Sequence, residues 1–451
     1  MVHAFSFNDC GNFRYYIFDV ESGSLMEADY SAFLCAKNRY SVEFTSNEKN
    51  AFAVLSAAEL REANEELDSL EADGLLNTPP VITSYKKPIG ALKALCLHTC
   101  HDCNMSCDYC FASDGTYGSV EREVMSVSVM KRSIDFLIEN SKFIKNLEID
   151  FFGGEPLLHL DNVKEAVAYA RAREKETGKK FSFTLTTNCL ALNGETAKYL
   201  ADEMQNVVLS IDGRRCVHER VRHSKSGDSY TAILKNAQQF RALRGDKNYY
   251  VRGTFTNKNL DFSEDVKFLS ENGFDQISVE PVVLPKNHPL AITETHIEAI
   301  NKEYERLATL VLTERRNGHF FNFFHFMADL TGGPCVHKRL NGCGAGCDYL
   351  AVAPNGTLAP CHRFTGNPDF VLGNVFDGIS DTKSVREKFT DTLLSKPHCA
   401  DCFAKYNCGG GCAANSFEFS GSTSGQYKTG CEFQKKRTEL ALGINACLTG
   451  N

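Results

Sequence analysis

The stretch Cys103-Asn-Met-Ser-Cys107-Asp-Tyr109-Cys110-Phe111 constrains this chain most. Three thiols are separated by three residues and then by two, a spacing that lets them converge on one face of a compact inorganic core. A cubane iron–sulfur cluster normally takes four thiolates. A local set of three would leave one iron with an open position, and an open position is where chemistry happens. The competing reading is a zinc site. Zinc needs a second CxxC or a pair of histidines, and neither completes this loop locally.

The 451 residues suffice for two or three domains. The net charge of −8 argues against nucleic acid as a main partner. No apolar run of about 18 residues predicts a membrane span, and the opening Met-Val-His-Ala-Phe-Ser lacks the basic and apolar regions of a signal peptide. The expected compartment is the cytoplasm. There, nineteen cysteines read as metal ligands rather than disulfides. They are clustered: five fall between Cys96 and Cys110 and nine between Cys335 and Cys431. Cofactor ligation predicts clustering, whereas core cysteines scatter.

Taken in order, residues 1–80 read as a separate small α+β unit. A strand over Phe13–Val20, a turn at Glu21–Ser24 and a second strand make a hairpin. A helix over Ser56–Ala72 follows, stopped at Gly74. From residue 92 to 317, apolar strands alternate with amphipathic helices. The strands are Ala94–His98, Leu147–Phe152, Phe181–Thr187, Val207–Ile211, Tyr250–Thr256 and Ile277–Val282. One intervening helix is expected over Asn162–Thr177, with Asp161 as its N-cap and Gly178 as its stop. Six βα units in series predict a parallel sheet with outer helices, a partial (β/α)6 TIM-like barrel. Chemistry in such folds sits at the C-terminal ends of the strands. The cysteine loop and Gly153-Gly154-Glu155-Pro156 both follow strand ends. Residues 318–451 lose periodicity and read as a loop-rich segment stapled by metal clusters.

Gly153 and Gly154 permit close approach to the backbone, and with the Glu155 carboxylate they make an acceptor-rich edge suited to an ammonium group. Pro156 stiffens the turn. Other strand-end candidates are Thr186-Thr187-Asn188, Ser210-Ile-Asp212, Arg222 in the loop beyond, and Arg252 on the fifth strand. An arginine there suits a carboxylate clamp. Cys96, Cys100 and Cys216 read as structural or incidental. In the C-terminal block, Cys343 is followed by Gly356 and Cys361. Then come Cys399, Cys402, Cys408 and Cys412, and finally Cys431. By themselves these spacings would serve two zinc sites.

CxxxCxxC with Tyr109 before its third cysteine resembles the signature of radical S-adenosylmethionine (SAM) enzymes. Gly-Gly-Glu-Pro resembles the motif that holds the methionyl amino group of SAM in that family. The resemblance implies that Asn188, Ser210, Asp212, Arg222 and Arg252 contact the SAM ribose or carboxylate. Cys189 stands where family members usually have glycine. The C-terminal block resembles a SPASM domain, which carries two auxiliary [4Fe–4S] clusters and would bring the total to three. Carried over by position, one auxiliary cluster takes Cys399, Cys402, Cys408 and Cys431, and the other Cys343, Cys361 and Cys412. Cys347 stands close enough to close the second set, where the family usually has another residue. If it does not, an iron is open to a substrate thiolate.

Asp150-Phe-Phe-Gly-Gly-Glu-Pro156, Tyr250-Val-Arg-Gly-Thr-Phe255, Gln276-Ile-Ser-Val-Glu-Pro281 and Phe321-Asn-Phe-Phe-His-Phe326 resemble maturases of SCIFF ("six cysteines in forty-five residues") peptides. That resemblance implies a winged-helix-like recognition element over residues 1–80 that binds the leader of a small cysteine-rich precursor peptide by strand addition. It also implies an electron donor of ferredoxin or flavodoxin type. The implied activity is sactisynthase-type thioether formation. The cluster on Cys103, Cys107 and Cys110 would cleave SAM, the deoxyadenosyl radical would abstract hydrogen from the peptide, and a cysteine sulfur would bond the resulting carbon. An anaerobic sulfatase maturase shares the C-terminal pattern. In that family an aspartate follows the second auxiliary cysteine, where this chain has His362. A non-catalytic electron-transfer protein would have no use for an ammonium-binding edge.

Overall fold

The computed structural model describes residues 1–118, 121–225, 227–328, 336–380, 383–396 and 398–449. Cys335 lies outside them. The chain opens with an antiparallel sheet, β1 (Val2–Asp9), β2 (Asn12–Asp19) and β3 (Leu25–Ala28), in that spatial order. Cys10 and Gly11 both take positive φ (51° and 105°), the geometry of a two-residue turn matched to strand twist. The sequence reading anticipated β2 and β3 but not β1. Helices Tyr30–Arg39, Ser46–Ala53 and Ala57–Ala72 follow. The last starts with a capping box between Ser56 and Glu59, which satisfies two free backbone donors reciprocally. Gly74 follows its end at φ 70°.

The remaining strands are β4 (Ala94–Cys100), β5 (Met105–Cys107), β6 (Asn146–Gly153), β7 (Lys180–Thr187), β8 (Asn206–Ser210), β9 (Arg222–Ser224), β10 (Tyr249–Phe255), β11 (Gln276–Pro281), β12 (Asn322–Phe323), β13 (Tyr349–Val352), β14 (Thr357–Ala359), β15 (Gly373–Asn374) and β16 (Gly378–Ile379). Strands β4, β6, β7, β8, β10 and β11 are the six parallel strands of the expected barrel, neighbours in chain order. Each neighbouring pair is joined through helical segments, as right-handed crossover connections require. The residues beyond 318 extend this sheet at both ends. β12 joins β11 in parallel, and β13 joins β4 in parallel before turning into the antiparallel β14–β16.

Period-two alternation decides which side chains face the barrel interior. Leu147, Ile149 and Phe151 of β6 and Phe181, Phe183 and Leu185 of β7 are buried in the core under the helices. Each contributes about 1.5–3 kcal/mol of burial free energy. The alternate positions point the other way: Phe152, Thr186, Ser210, Arg252, Thr254 and Glu280 all line the central cavity. The helix after β6 runs from Leu160 to Thr177 and stops at Gly178 in the left-handed region. Asp161 is not its N-cap. His159 holds that position without a side-chain bond, and Asp161 lies in the first turn, because the preceding 3-10 turn Pro156–His159 feeds directly into the helix.

The terminal helix Lys428–Thr449 packs on helix Ile297–Arg316 and on β1. The N-terminal unit thereby sits against the C-terminal segment. His3 stacks on Phe403 with ring centroids 3.6 Å apart, and the Phe7 ring fills the space a side chain at Gly443 would need. No helix among the described residues is long and apolar enough to cross a membrane.

Candidate functional site: a cysteine-lined cavity at the strand ends

A cavity of about 1580 Å³ opens at the C-terminal ends of the parallel strands. Cys103, Cys107 and Cys110 line it together with Cys343, Cys361, Cys412, Cys399, Cys402, Cys408 and Cys431. The two cysteine groups are more than 230 residues apart in the chain, and the fold brings them to one space. Burial pushes Cys103 up to about 12 and Cys107 to about 11. Burial likewise raises Cys361 to about 12 and Cys408 to about 11. Such thiols lose their protons to a cationic core rather than to solvent. Among the described residues, no three His, Cys, Asp or Glu side chains converge tightly enough to hold a single metal ion. The donor set, ten thiols lining one cavity, suits iron–sulfur ligation.

The cysteine loop is held by a short ladder that sequence periodicity did not reveal. β5 pairs antiparallel with β9, with Cys107 opposite Arg222. That register places Arg222 beside Tyr109, whose hydroxyl donates to both carboxylate oxygens of Asp212 (2.9 and 2.7 Å). Arg222 donates to the Tyr109 oxygen at 3.2 Å and approaches Asp212 at 3.5 Å. Asp212 is fully buried, also accepts from Thr254 N, and does not line the cavity. It therefore orients Tyr109 and Arg222 instead of meeting a ligand. Tyr109, Asn188, Ser210 and Arg222 do line it. The Arg222 Nε is buried with no hydrogen-bond partner among the described residues, which leaves a donor for a carboxylate or hydroxyl.

Gly153, Gly154, Glu155 and Pro156 line the same cavity, but two of their roles differ from the expectation. The glycines are required first by the protein itself. A Cβ on Gly154 would overlap the Asp102 carbonyl, and one on Gly153 the Cys100 carbonyl. Gly154 N and Glu155 N donate to those two oxygens' residues, Cys100 and Asp102, at 2.9 Å each. The Glu155 carboxylate is buried and satisfied by Leu157 N (3.0 Å), Thr187 Oγ1 (2.8 Å) and Asn188 N (2.7 Å). It ties the ends of β6 and β7 together. The Glu155 carboxylate is thus taken up by the protein itself and is not a free acceptor for an ammonium group.

Cys189 has φ 67°, in the left-handed region that favours glycine, at a cost of about 1 kcal/mol for an L side chain. The backbone at this position is one that glycine would adopt without strain. Cys347 turns away from the cavity. It is 1% exposed, packs with Phe364, Phe370 and Phe389, and donates to the Phe389 carbonyl at 3.6 Å. Its loop is clamped by Arg386, which donates to the carbonyls of Gly346 and Cys347, and by Lys87, which donates to the Cys343 carbonyl. Cys96 and Cys100 are buried off the cavity and Cys216 is exposed.

Residues 97–269 match the model of the Radical SAM superfamily. The chain carries a radical SAM domain. It is 25% identical over 334 residues to the cysteine-type anaerobic sulfatase-maturating enzyme of Clostridium novyi (strain NT), covering 70% of this chain and 86% of that one. It is also 25% identical over 350 residues to the antilisterial bacteriocin subtilosin biosynthesis protein AlbA of Bacillus subtilis (strain 168), covering 74% and 67%. Among solved structures, native anSMEcpe with bound AdoMet and Kp18Cys peptide superposes with a TM-score of 0.64 at 19% identity, over 80% of this chain and 99% of that one. That likeness shows the fold. The radical SAM domain is thus set within a chain related to sulfatase-maturating and bacteriocin-biosynthesis enzymes.

Sequence spacing found the cavity cysteines. It did not find the β5–β9 ladder, whose strands of three residues are too short for a periodic signal. It also missed the inward-facing Glu280 and the ring contacts of His362 with Phe111 and Phe152 (5.8 and 5.0 Å).

Proposed function

We propose that the chain is a radical SAM peptide maturase that forms a thioether between a cysteine sulfur and a carbon of a ribosomally made, cysteine-rich precursor. The observation that carries this reading is the single cavity shared by the CxxxCxxC loop and the C-terminal cysteines. Bound SAM and a reduced cluster on Cys103, Cys107 and Cys110 supply a hydrogen-abstracting carbon radical. The chain's own residues shape where that happens. In this reading the backbone of Gly153–Glu155 and the Arg222 guanidinium would take the amino-acid end of SAM, and Asn188 and Ser210 its hydroxyls; their lining of one cavity supports this. In the balance, a C–H and an S–H bond break and a C–S bond forms. The hydrogen atom goes to deoxyadenosine, the thiol proton to solvent, and one electron remains for an acceptor.

Two auxiliary clusters are proposed on the C-terminal cysteines, with Cys343, Cys361 and Cys412 as a three-thiolate set. The placement of Cys347 outside the cavity supports an open position there. The free edge of β3 supports leader recognition by strand addition in the N-terminal unit. A ferredoxin or flavodoxin would supply electrons.

A second reading, sulfatase maturation, is favoured by the likeness to the Clostridium novyi enzyme and to anSMEcpe. Against it, His362 stands where the resembling family carries an aspartate. One experiment separates the two readings. The protein is reconstituted anaerobically, its iron and sulfide are counted, and it is incubated with dithionite, SAM and either a cysteine-rich peptide or a sulfatase-derived peptide. Loss of two hydrogens with sulfur retained and the thiol blocked supports the thioether. Loss of sulfur to an aldehyde supports the sulfatase reading. About twelve irons per chain fit three clusters.

A further inference from the structure

Three of the stretches singled out in the sequence, Tyr250–Phe255, Gln276–Pro281 and Phe321–Phe326, lie outside the cysteine clusters and the Gly153–Pro156 turn. The fold brings Arg252 of β10 and Glu280 of β11 to the same wall of the cavity, with His325, after β12, set against Glu280. Thr254 is the register partner of Glu280, so Arg252 and Glu280 project inward from adjacent strands, and both line the cavity.

Glu280 is built into this wall. Ser278 Oγ donates to it at 3.1 Å, and His325 Nε2 lies 2.7 Å from Oε1. His325 Nδ1 faces Arg437 Nη1 at 3.3 Å. Arginine can only donate, so the imidazole proton sits on Nε2, close to Glu280 but outside hydrogen-bond geometry. Arg437 lies 3.9 Å from the other carboxylate oxygen and is itself held by the Tyr304 hydroxyl. Burial alone would raise the Glu280 carboxyl. The charges of Arg437 and Arg252 and the His325 contact outweigh it and hold the group well below the usual range. Part of the carboxylate still faces the cavity, at 24% side-chain exposure. The Arg252 side chain makes no hydrogen bond or ion pair among the described residues. The wall therefore offers a fixed acceptor beside a free planar donor.

We propose that Glu280 and Arg252 form a main-chain clamp for the peptide substrate, Glu280 accepting an amide N–H and Arg252 donating to a neighbouring carbonyl. This rests on the peptide-maturase reading above. The SAM-facing residues come from β5 to β9, and the clamp stands beyond them, on β10 and β11. An acceptor and a donor on neighbouring strands match the alternating polarity of an extended chain. The cavity, at about 1580 Å³, exceeds the roughly 300–1,000 Å³ typical of a small-ligand pocket, as a site shared by SAM, clusters and a peptide requires. The clamp would set which residue of the core peptide lies before the radical, and hence which carbon is modified.

The test compares reconstituted wild type, Glu280→Gln, Glu280→Asp and Arg252→Met with a cysteine-rich precursor peptide. Peptide KM, kcat, SAM affinity and deoxyadenosine formed per modified peptide are measured. The inference expects KM for the peptide to rise about tenfold in Glu280→Gln and Arg252→Met. Deoxyadenosine per modified peptide should rise with it, because SAM is cleaved before a misplaced substrate, and Glu280→Asp should recover part of the loss. If the wild type modifies peptide and the variants match it in KM and coupling, the inference is overturned while the maturase reading stands. If SAM affinity falls and peptide KM does not, the pair belongs to the cofactor site and the clamp is wrong. If the wild type modifies no peptide at all, the maturase reading falls and the clamp with it.

Discussion

Glu21, in the turn after β2, and Lys405, between Cys402 and Cys408, form a buried ion pair, Oε1 to Nζ 2.5 Å, with side chains 4% and 5% exposed. Tyr406 donates to the other carboxylate oxygen at 2.8 Å, and Lys405 also reaches the Ala400 carbonyl at 3.1 Å. The N-terminal unit is thus fastened to the segment that carries three of the cavity cysteines. Removing one partner strands a buried charge, whereas removing both does not. Glu21→Ala should cost about 3 kcal/mol in denaturant unfolding, and Glu21→Gln/Lys405→Met distinctly less than the sum of its single changes. Additive single changes would show that the two residues are not coupled.

Gly154→Ala should be far worse than an ordinary surface change. Its Cβ would overlap the Asp102 carbonyl, which is backbone and cannot rotate away. The expected loss exceeds about 4 kcal/mol, together with loss of iron from the Cys103 loop, read by iron analysis and urea unfolding. Retained iron and stability would mean the strand end and cysteine loop are not packed as described.

Cys347→Ala and Cys343→Ala should differ sharply. Cys347 is buried in an apolar cluster and does not itself line the cavity, so its replacement should leave iron content unchanged and cost about 1 kcal/mol in packing. Cys343→Ala should lower iron by about four atoms per chain. Iron lost in the Cys347 variant would make it a ligand after all.

His218 supplies a pH dependence. Burial, reinforced by the Arg222 charge, lowers it to about 2 from an ordinary 6.5. A depressed folded value means the unfolded chain binds a proton first as pH falls. The stability associated with neutral His218 is complete above pH 6.5 and declines below it, by about 1.4 kcal/mol per pH unit, as far down as its folded value. His218→Asn should reduce the acid slope of stability between pH 6.5 and 4.5 by one proton. An unchanged slope, from urea unfolding at several pH values, would place His218 in contact with solvent.

Much of the frame was legible in local pattern. The strands β6 and β7 follow from alternation of Phe, Leu and Ile with polar residues, and helix Ala57–Ala72 from its Ser56–Glu59 start. Other features carry no local mark. β5 and β9 are three residues each, and Cys107 meets Arg222 only because the intervening βα units return the chain there. Asp161 looked like a helix cap because it precedes a periodic run, but the 3-10 turn at Pro156 had already set the helix going. His325 and Arg437 stand 112 residues apart in sequence, and nothing near either of them announces the pairing.

By itself the sequence determined the spacing of Cys103, Cys107 and Cys110 and the serial βα units. Each is encoded within a few residues, where spacing and period act directly on the backbone. Only the tertiary structure decided that Cys347 faces Phe389 rather than the cavity, that the Glu155 carboxylate turns inward to Asn188 and Thr187, and that Arg252 and Glu280 share one wall. Those outcomes depend on which distant surfaces exclude water from each other, and that competition is settled across the whole chain.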